Sequence, residues 1–380
     1  MHGIKVNEPL TGTRPIVESS LAILGLIATA TAEAGEAAEA LNDAFPVGER
    51  VLVTDARAAI AKAGTGGTLG PALAAIADQT NPLAVVVRVE APAPSEDPEA
   101  PTIDDAAIEG LELMLGAETQ LGVRPRILGA PGLDTQPVAA GLAGIARKLR
   151  GFAYTRSIGD NVAEAVLYRA NFHAREQMLI WPNTSAAFAG DAIARAMGLR
   201  ARIDNEVGWH KTLSNVAMDG VTGLSHDVFF DLHSADTDAG LLNAADTTTL
   251  IRSNGFRFWG NRTCSDEPLF AFESTVRTAQ ALQDEIAAGL MWAIDKPITR
   301  ALIRDIEETI NARLRQLIAQ GRLIGGRAWI DLSEDVNPPS ALAAGKLAVD
   351  YDYTPCAPAE SLTLNQRITD RYYAELSLAA

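Results

Sequence analysis

Cysteine is almost missing: Cys264 and Cys356 are the two in 380 residues, far apart in the chain. A disulfide framework is excluded, and reduced thiols in a cytosolic context are the expectation. Long apolar runs are missing too. The longest, about Leu21 to Ala30, is too short to span a bilayer. No basic leader precedes it, so a signal peptide is not expected, although Ala28-Thr29-Ala30 imitates a cleavage site. Positive charge is in deficit: 32 Lys and Arg against 48 Asp and Glu leave a net charge of −16. Such a chain repels nucleic acid and anionic membranes unless its bases are gathered locally, so neither is an expected partner. What is present is a globular composition. A hydrophobic fraction of 47% with 21% charged residues excludes a wholly disordered chain, and the length suits two or three domains with a large core.

Strand and helix patterns alternate through the first two thirds. Residues 21–30 read as a buried strand or a short helix. Val51 to Val53 reads as a strand, and Ala56–Ala63 and Leu69–Asp78 as helices. Leu83 to Val89 (LAVVVRV) is a β-branched run suited to a strand buried on both faces. Ala91 to Pro101 (APAPSEDPEAP) is a solvated loop or linker. Beyond it follow a helix over 103–121, a strand at 126–128 and helices at 138–149 and 162–169. Extended segments at 151–155 and 178–181 and a helix at 186–197 continue the alternation. It predicts an α/β layer. The last third differs. Phe272, Val276, Ala279, Leu282, Ile286 and Leu290 form one helical apolar stripe, and Ile298 through Leu317 form a second. Asp295 is the expected cap of that second helix, with Pro297 in its first turn and Gly321 at its end.

Motifs that carry chemistry are scarce. Gly64 to Gly70 (GTGGTLG) lacks the Lys-Ser/Thr of a phosphate loop and follows a helix pattern, so a turn that starts a helix is the better reading. His226 and His233, with Asp227 and Asp231, lack a metal-ligand spacing. His210 and Ser214, with Asp204 or Glu206, do not by themselves make a triad. No HExxH, GxSxG or CxxC occurs. No catalytic residue, cofactor or metal is therefore expected. Trp209 and Trp259 read as core or interface aromatics. Lys296, Arg300 and Arg304 are spaced i, i+4, i+8, away from the apolar stripe. They are either a line that docks an acidic partner or a solvated face with an Arg304–Glu308 pair.

The ends hold three period-2 segments, at 3–7, 346–354 and 361–369. Such strands either pair at home within one sheet or complete the sheet of another chain. Strands given to different neighbours make head-to-tail contacts, which build rings stacked into tubes.

Several stretches together are similar to the tail sheath proteins of contractile bacteriophages and R-type pyocins, above all the short sheaths of P2-like phages. They are His2-Gly3-Ile4-Lys5-Val6 with Gly12-Thr13-Arg14, Arg124 to Thr135, Gly208 to Asn215, Gly220 to Gly223, Asp295 to Thr299 and Asp350 to Pro355. The most specific is Asn254 to Ser265 (NGFRFWGNRTCS). The resemblance runs through nearly the whole chain in order. It implies a structural, non-enzymatic subunit of stacked hexameric rings around an inner tube, driven from an extended high-energy state into a contracted one. Implied partners are further copies of the chain, the tail tube protein, and baseplate and tail terminator proteins. The implied place is a virion tail, or a pyocin-like particle, assembled in the host cytoplasm. A non-contractile coat protein and an α/β enzyme with a degenerate hydrolase site are the alternatives. The implied fold combines an outer α/β region (21–270, with a sub-boundary near 91–104), an inner α+β helix-and-sheet domain (271–357), and β-strand arms at 1–20 and 358–380. On this basis Ile4, Lys5 and Val6 map to the N-terminal arm and Leu362, Leu364 and Ile368 to the C-terminal arm. The receiving sheet maps to 328–332 and 346–354, with Trp329, Leu347, Val349, Tyr351 and Tyr353. The cationic line Lys296/Arg300/Arg304 becomes a candidate contact to the tube.

Overall fold

The computed structural model describes residues 16, 20–92, 97, 100–185 and 187–373. The strands are β1 (Leu24–Thr31), β2 (Arg50–Val53), β3 (Gly66–Gly67), β4 (Ala84–Val89), β5 (Ile127–Gly129), β6 (Phe152–Arg156), β7 (Gln177–Ile180), β8 (Thr247–Arg252), β9 (Phe256–Trp259), β10 (Leu323–Trp329) and β11 (Asp350–Pro355). The first nine form one sheet in the order β2-β4-β1-β5-β6-β7-β8-β9, with β3 attached to β1. Its inner strands, from β4 through β8, are parallel. The outer strands β2 and β9 run antiparallel to their neighbours.

Alternation explains why the inner strands look uniformly apolar. Leu24, Leu26 and Ala28 of β1 face one core, with Val86, Phe152 and Tyr154. Ile27 faces the other, with Val85, Val87 and Val89. Helices Leu69–Gln79 and Asp191–Glu206 cover the first face, and helices Ile103–Leu113 and Gln136–Leu149 the second. A parallel sheet covered by helices on both faces has no polar side to show. Gly198 lets two helices touch: a Cβ there would lie 2.9 Å from the carbonyl oxygen of Ile76. The glycine-rich segment 64–70 runs back along β1. A Cβ on Gly67 would lie 2.4 Å from Thr29 O, and Thr29 N donates to Thr68 Oγ1 at 3.0 Å.

A smaller unit follows. Helices Glu273–Gly289 and Arg300–Ala319 pack with the two-stranded antiparallel sheet β10–β11 around Leu282, Ile306, Ile310, Leu314 and Leu317.

Several expectations need correction. The helix expected at 186–197 is Asp191–Glu206. Asn183 ties down the preceding turn by donating to Phe188 O at 2.7 Å and accepting from Ala192 N at 2.9 Å. Downstream the apolar pattern fades because Arg200 and Asp204 are buried yet paired. The second C-terminal helix is capped by Thr299, whose hydroxyl accepts from Leu302 N at 3.2 Å, and not by Asp295. Asp295 closes the preceding turn at φ +62°, a backbone position that aspartate tolerates. Pro297 and Ile298 therefore precede that helix, and so does Lys296, which breaks the expected cationic stripe. The strand expected over 346–354 begins only at Asp350, and 361–369 forms no strand.

Candidate assembly surface

The β10–β11 sheet has one covered face. Leu323 and Ala328 are buried against helix Arg300–Ala319, and half-buried Tyr351 and Tyr353 stack with ring centres 6.2 Å apart. Burial pushes both tyrosine hydroxyls above their usual pKa. Leu347 and Val349 lie just before β11 and pack on the same cluster. Trp329 ends β10, with the Arg327 guanidinium 4.8 Å above its ring. Among the described residues this sheet has no third strand. Two strands are too few to be stable without support, and the helices supply it on one side only.

Past β11 the chain leaves the body. Glu360 is gripped by both ends of the Arg262 guanidinium, at 2.9 and 2.7 Å. Beyond it Leu362, Leu364 and Ile368 are 80, 90 and 96% exposed. That is far more apolar exposure than scattered surface leucines require. Ile4, Lys5 and Val6 lie outside the described residues. The cationic line is reduced to Arg300 and Arg304, both exposed on the first turns of their helix. The Lys296 ammonium rests 4.5 Å from the Trp292 ring centre. Glu308 pairs with Arg315 at 3.4 Å, in place of the Arg304 partner weighed from sequence.

A buried charge seam joins the two units, and sequence reasoning missed it. Glu273 accepts from Arg200 Nη1 at 3.2 Å and from the Tyr154 hydroxyl, and all three are fully buried. Arg200 also holds Asp204 at 2.9 Å, and Asp204 pairs with Arg277. The Tyr154 hydroxyl is raised well above its usual pKa, first by burial and then by the Glu273 charge. Farther along the same helix, Asp284 pairs with Arg126 and Arg150, and Glu285 holds Arg313 of the next helix at 2.8 Å. Burial pulls Arg126 down to about 10 against the pull of Asp284. The Trp209–Asn215 stretch serves this seam: Arg200 Nη1 donates to Lys211 O at 2.6 Å, and Leu213 N donates to Glu273 at 3.4 Å. The i, i+4 spacing of Arg200 and Asp204 was the available signal.

The histidines do other work. His226 stacks on Trp181, with ring centres 5.2 Å apart. Among the described residues no three metal-type side chains gather. No helix among them is long and apolar enough to cross a membrane.

Two family models match consecutive stretches of the chain. Residues 106–264 match the phage tail sheath protein central domain, and 265–369 the phage tail sheath C-terminal domain. The tail sheath protein of Escherichia phage P2 is 49% identical, over 99% of this chain and 97% of its own. The chain belongs to the phage tail sheath family. The major tail sheath protein of Serratia phage KSP20 is 42% identical over 98% of this chain and 96% of its own. A putative prophage major tail sheath protein of Pseudomonas aeruginosa is 33% identical over 99% and 98%. The fold is also that of more distant sheaths. The contracted sheath complex of an extracellular contractile injection system aligns with a TM-score of 0.71 at 16% identity, covering 97% of this chain and 98% of that one. The contracted helical sheath of the anti-feeding prophage gives 0.71 at 16%, covering 96% and 98%. A tail sheath protein is a structural component of a virion tail.

Proposed function

We propose that this sheath protein polymerises as stacked hexameric rings around an inner tube and contracts from an extended, metastable arrangement. Each copy lends terminal segments to the β10–β11 sheets of neighbouring copies. The observation that carries this reading is the coexistence, in one chain, of an unfinished two-stranded sheet and a protruding segment with apolar residues at strand spacing. Each hydrogen bond of an added strand contributes about 0.5–1.5 kcal/mol net. Ordering each residue of the arm costs about 1–2 kcal/mol. One link is therefore weak, and a lattice of links is strong. The C-terminal unit, 271–357, is inner and the α/β region, 21–270, is outer, because widening on contraction must release contacts to the tube and keep the rest. Arg300 and Arg304 are its candidate tube contacts, polar and easily broken. No turnover and no nucleotide enter the cycle: the energy lies in packings that improve as subunits rotate.

Electron microscopy of the purified chain tests this. The full chain forms hollow tubes. Versions lacking residues 1–12, or ending at Glu360, stay folded and monomeric. Tubes from both truncated chains would refute the exchange of terminal strands, and closed shells from the full chain would favour a coat.

A further inference from the structure

The free edge of β10 is not open along its length. Ala328 N donates to Asn311 Oδ1 at 2.9 Å, and Asn311 Nδ2 donates to Ala328 O at 2.8 Å. Asn311 stands on helix Arg300–Ala319. Its amide thus takes the place of one residue of a third strand. In an antiparallel pair, both backbone groups of a residue point toward the partner strand or both point away, alternating along the chain. Ala328 faces Tyr351 across the pair, and its groups go to Asn311, so they point away from β11. Gly326, two residues back and opposite Tyr353, points the same way. Among the described residues no side chain plugs the edge there. Gly325 and Gly326 also leave that stretch bare. A Cβ on Gly325 would meet nothing within 4 Å. Strand β10 holds no lysine or proline; Arg327 is its one charged residue, and the pairing with β11 is irregular between Leu323 and Gly325.

We propose that Asn311 is a register stop, which closes the β10 edge at Ala328 so that a strand from a second copy of this chain pairs from Gly326 toward Leu323. The proposal rests on the exchange of terminal strands argued above and adds what decides their position. Alternation alone cannot do so. A slip of one residue turns every side chain to the wrong face, but a slip of two restores the pattern. Leu362 and Leu364 are two apart, so apolar spacing accepts both registers. A plug at one backbone position limits how far the incoming strand advances along β10, because the hydrogen-bonding groups of Ala328 are already used.

Amide hydrogen exchange, read residue by residue on free subunits and on tubes, tests this. In the wild type, assembly slows Gly326 by about tenfold or more and leaves Ala328 within about twofold, since Asn311 already protects it. In the N311A variant, Ala328 exchanges about tenfold faster in free subunits and is slowed again in tubes, where the strand has extended. Ala328 remaining fast in N311A tubes would overturn the proposal. If N311A subunits do not assemble, the wild-type tubes still decide. Protection of Tyr351 and Tyr353 without Gly326 places the added strand on the β11 edge alone and overturns the register stop, while strand exchange stands. No protection at Gly326, Tyr351 or Tyr353 overturns strand exchange and the stop together.

Discussion

Replacing Glu273 by alanine should be among the most damaging single changes in the chain. Glu273, Arg200 and Tyr154 are each fully buried. The variant leaves the Arg200 guanidinium with Asp204 as its remaining ion-pair partner, and the Tyr154 hydroxyl loses its acceptor. Truncating one member of a buried, hydrogen-bonded charge pair costs about 3–5 kcal/mol, because the other charge stays behind without water. Against a typical stability of about 5–15 kcal/mol, that is a large share. Urea unfolding followed by tryptophan fluorescence reads it. Trp209, 2% exposed, reports on the C-terminal core. Glu308→Ala is the control, since Glu308 and Arg315 are both more than half exposed, and it should stay within about 0.5 kcal/mol. Glu273→Gln keeps an acceptor for Tyr154 and should fall between the two. A loss below about 1 kcal/mol for E273A, with an unchanged denaturant slope, would show that the seam does not hold the units together and that the reasoning from burial is wrong.

Other outcomes follow from the same structure. Cys264 is buried, and burial pushes its thiol up to about 12 from 9.0. The native chain should expose one thiol to a disulfide reagent, Cys356, and two after unfolding. Because only the unfolded chain loses the Cys264 proton above pH 9, its contribution to stability is full below that pH. It then falls by about 1.4 kcal/mol per pH unit, and C264A should flatten this part of the stability profile. Reversing charge at R300E and R304E should leave self-assembly intact but weaken co-sedimentation with tube protein at low salt, and equal retention at all salt concentrations would remove these residues from the tube face. Glu360→Ala should change stability by less than about 1 kcal/mol, since the Arg262 pair is partly exposed. A spin label at Ser361 should nevertheless become more mobile.

The α/β alternation was legible because buried parallel strands leave continuous β-branched runs, as at Leu83 to Val89. Strand β8 was not, because Thr247, Thr248 and Thr249 look like a loop and yet are buried. Their burial follows from the neighbouring strand and helices, which no local pattern announces. The helix at Glu36–Ala44 was hidden for a related reason: only Leu41 of its residues is buried, so no apolar stripe marks it. The cationic line failed on a cap. Thr299, immediately before the helix, caps it through Leu302 N in place of Asp295, and Lys296 dropped off the helix with that shift. Asn311 gave no sequence signal at all, since a plug on a sheet edge is defined only by the strand it meets.

Within the subunit, the seam is built from buried charges, which tolerate little displacement because a buried charge parted from its partner finds no water to replace it. At the surface, the exchanged segment would be held by backbone hydrogen bonds and a few apolar side chains. Those bonds form with any side chain, and a strand twists without breaking them. A tube that widens while its copies stay linked needs this division of labour, with stiff joints inside each copy and compliant ones between copies. A compliant joint brings a hazard, because a strand that bends easily also slides easily. The Asn311 plug answers that hazard at the position where sliding would start, and it leaves the strand free to pivot.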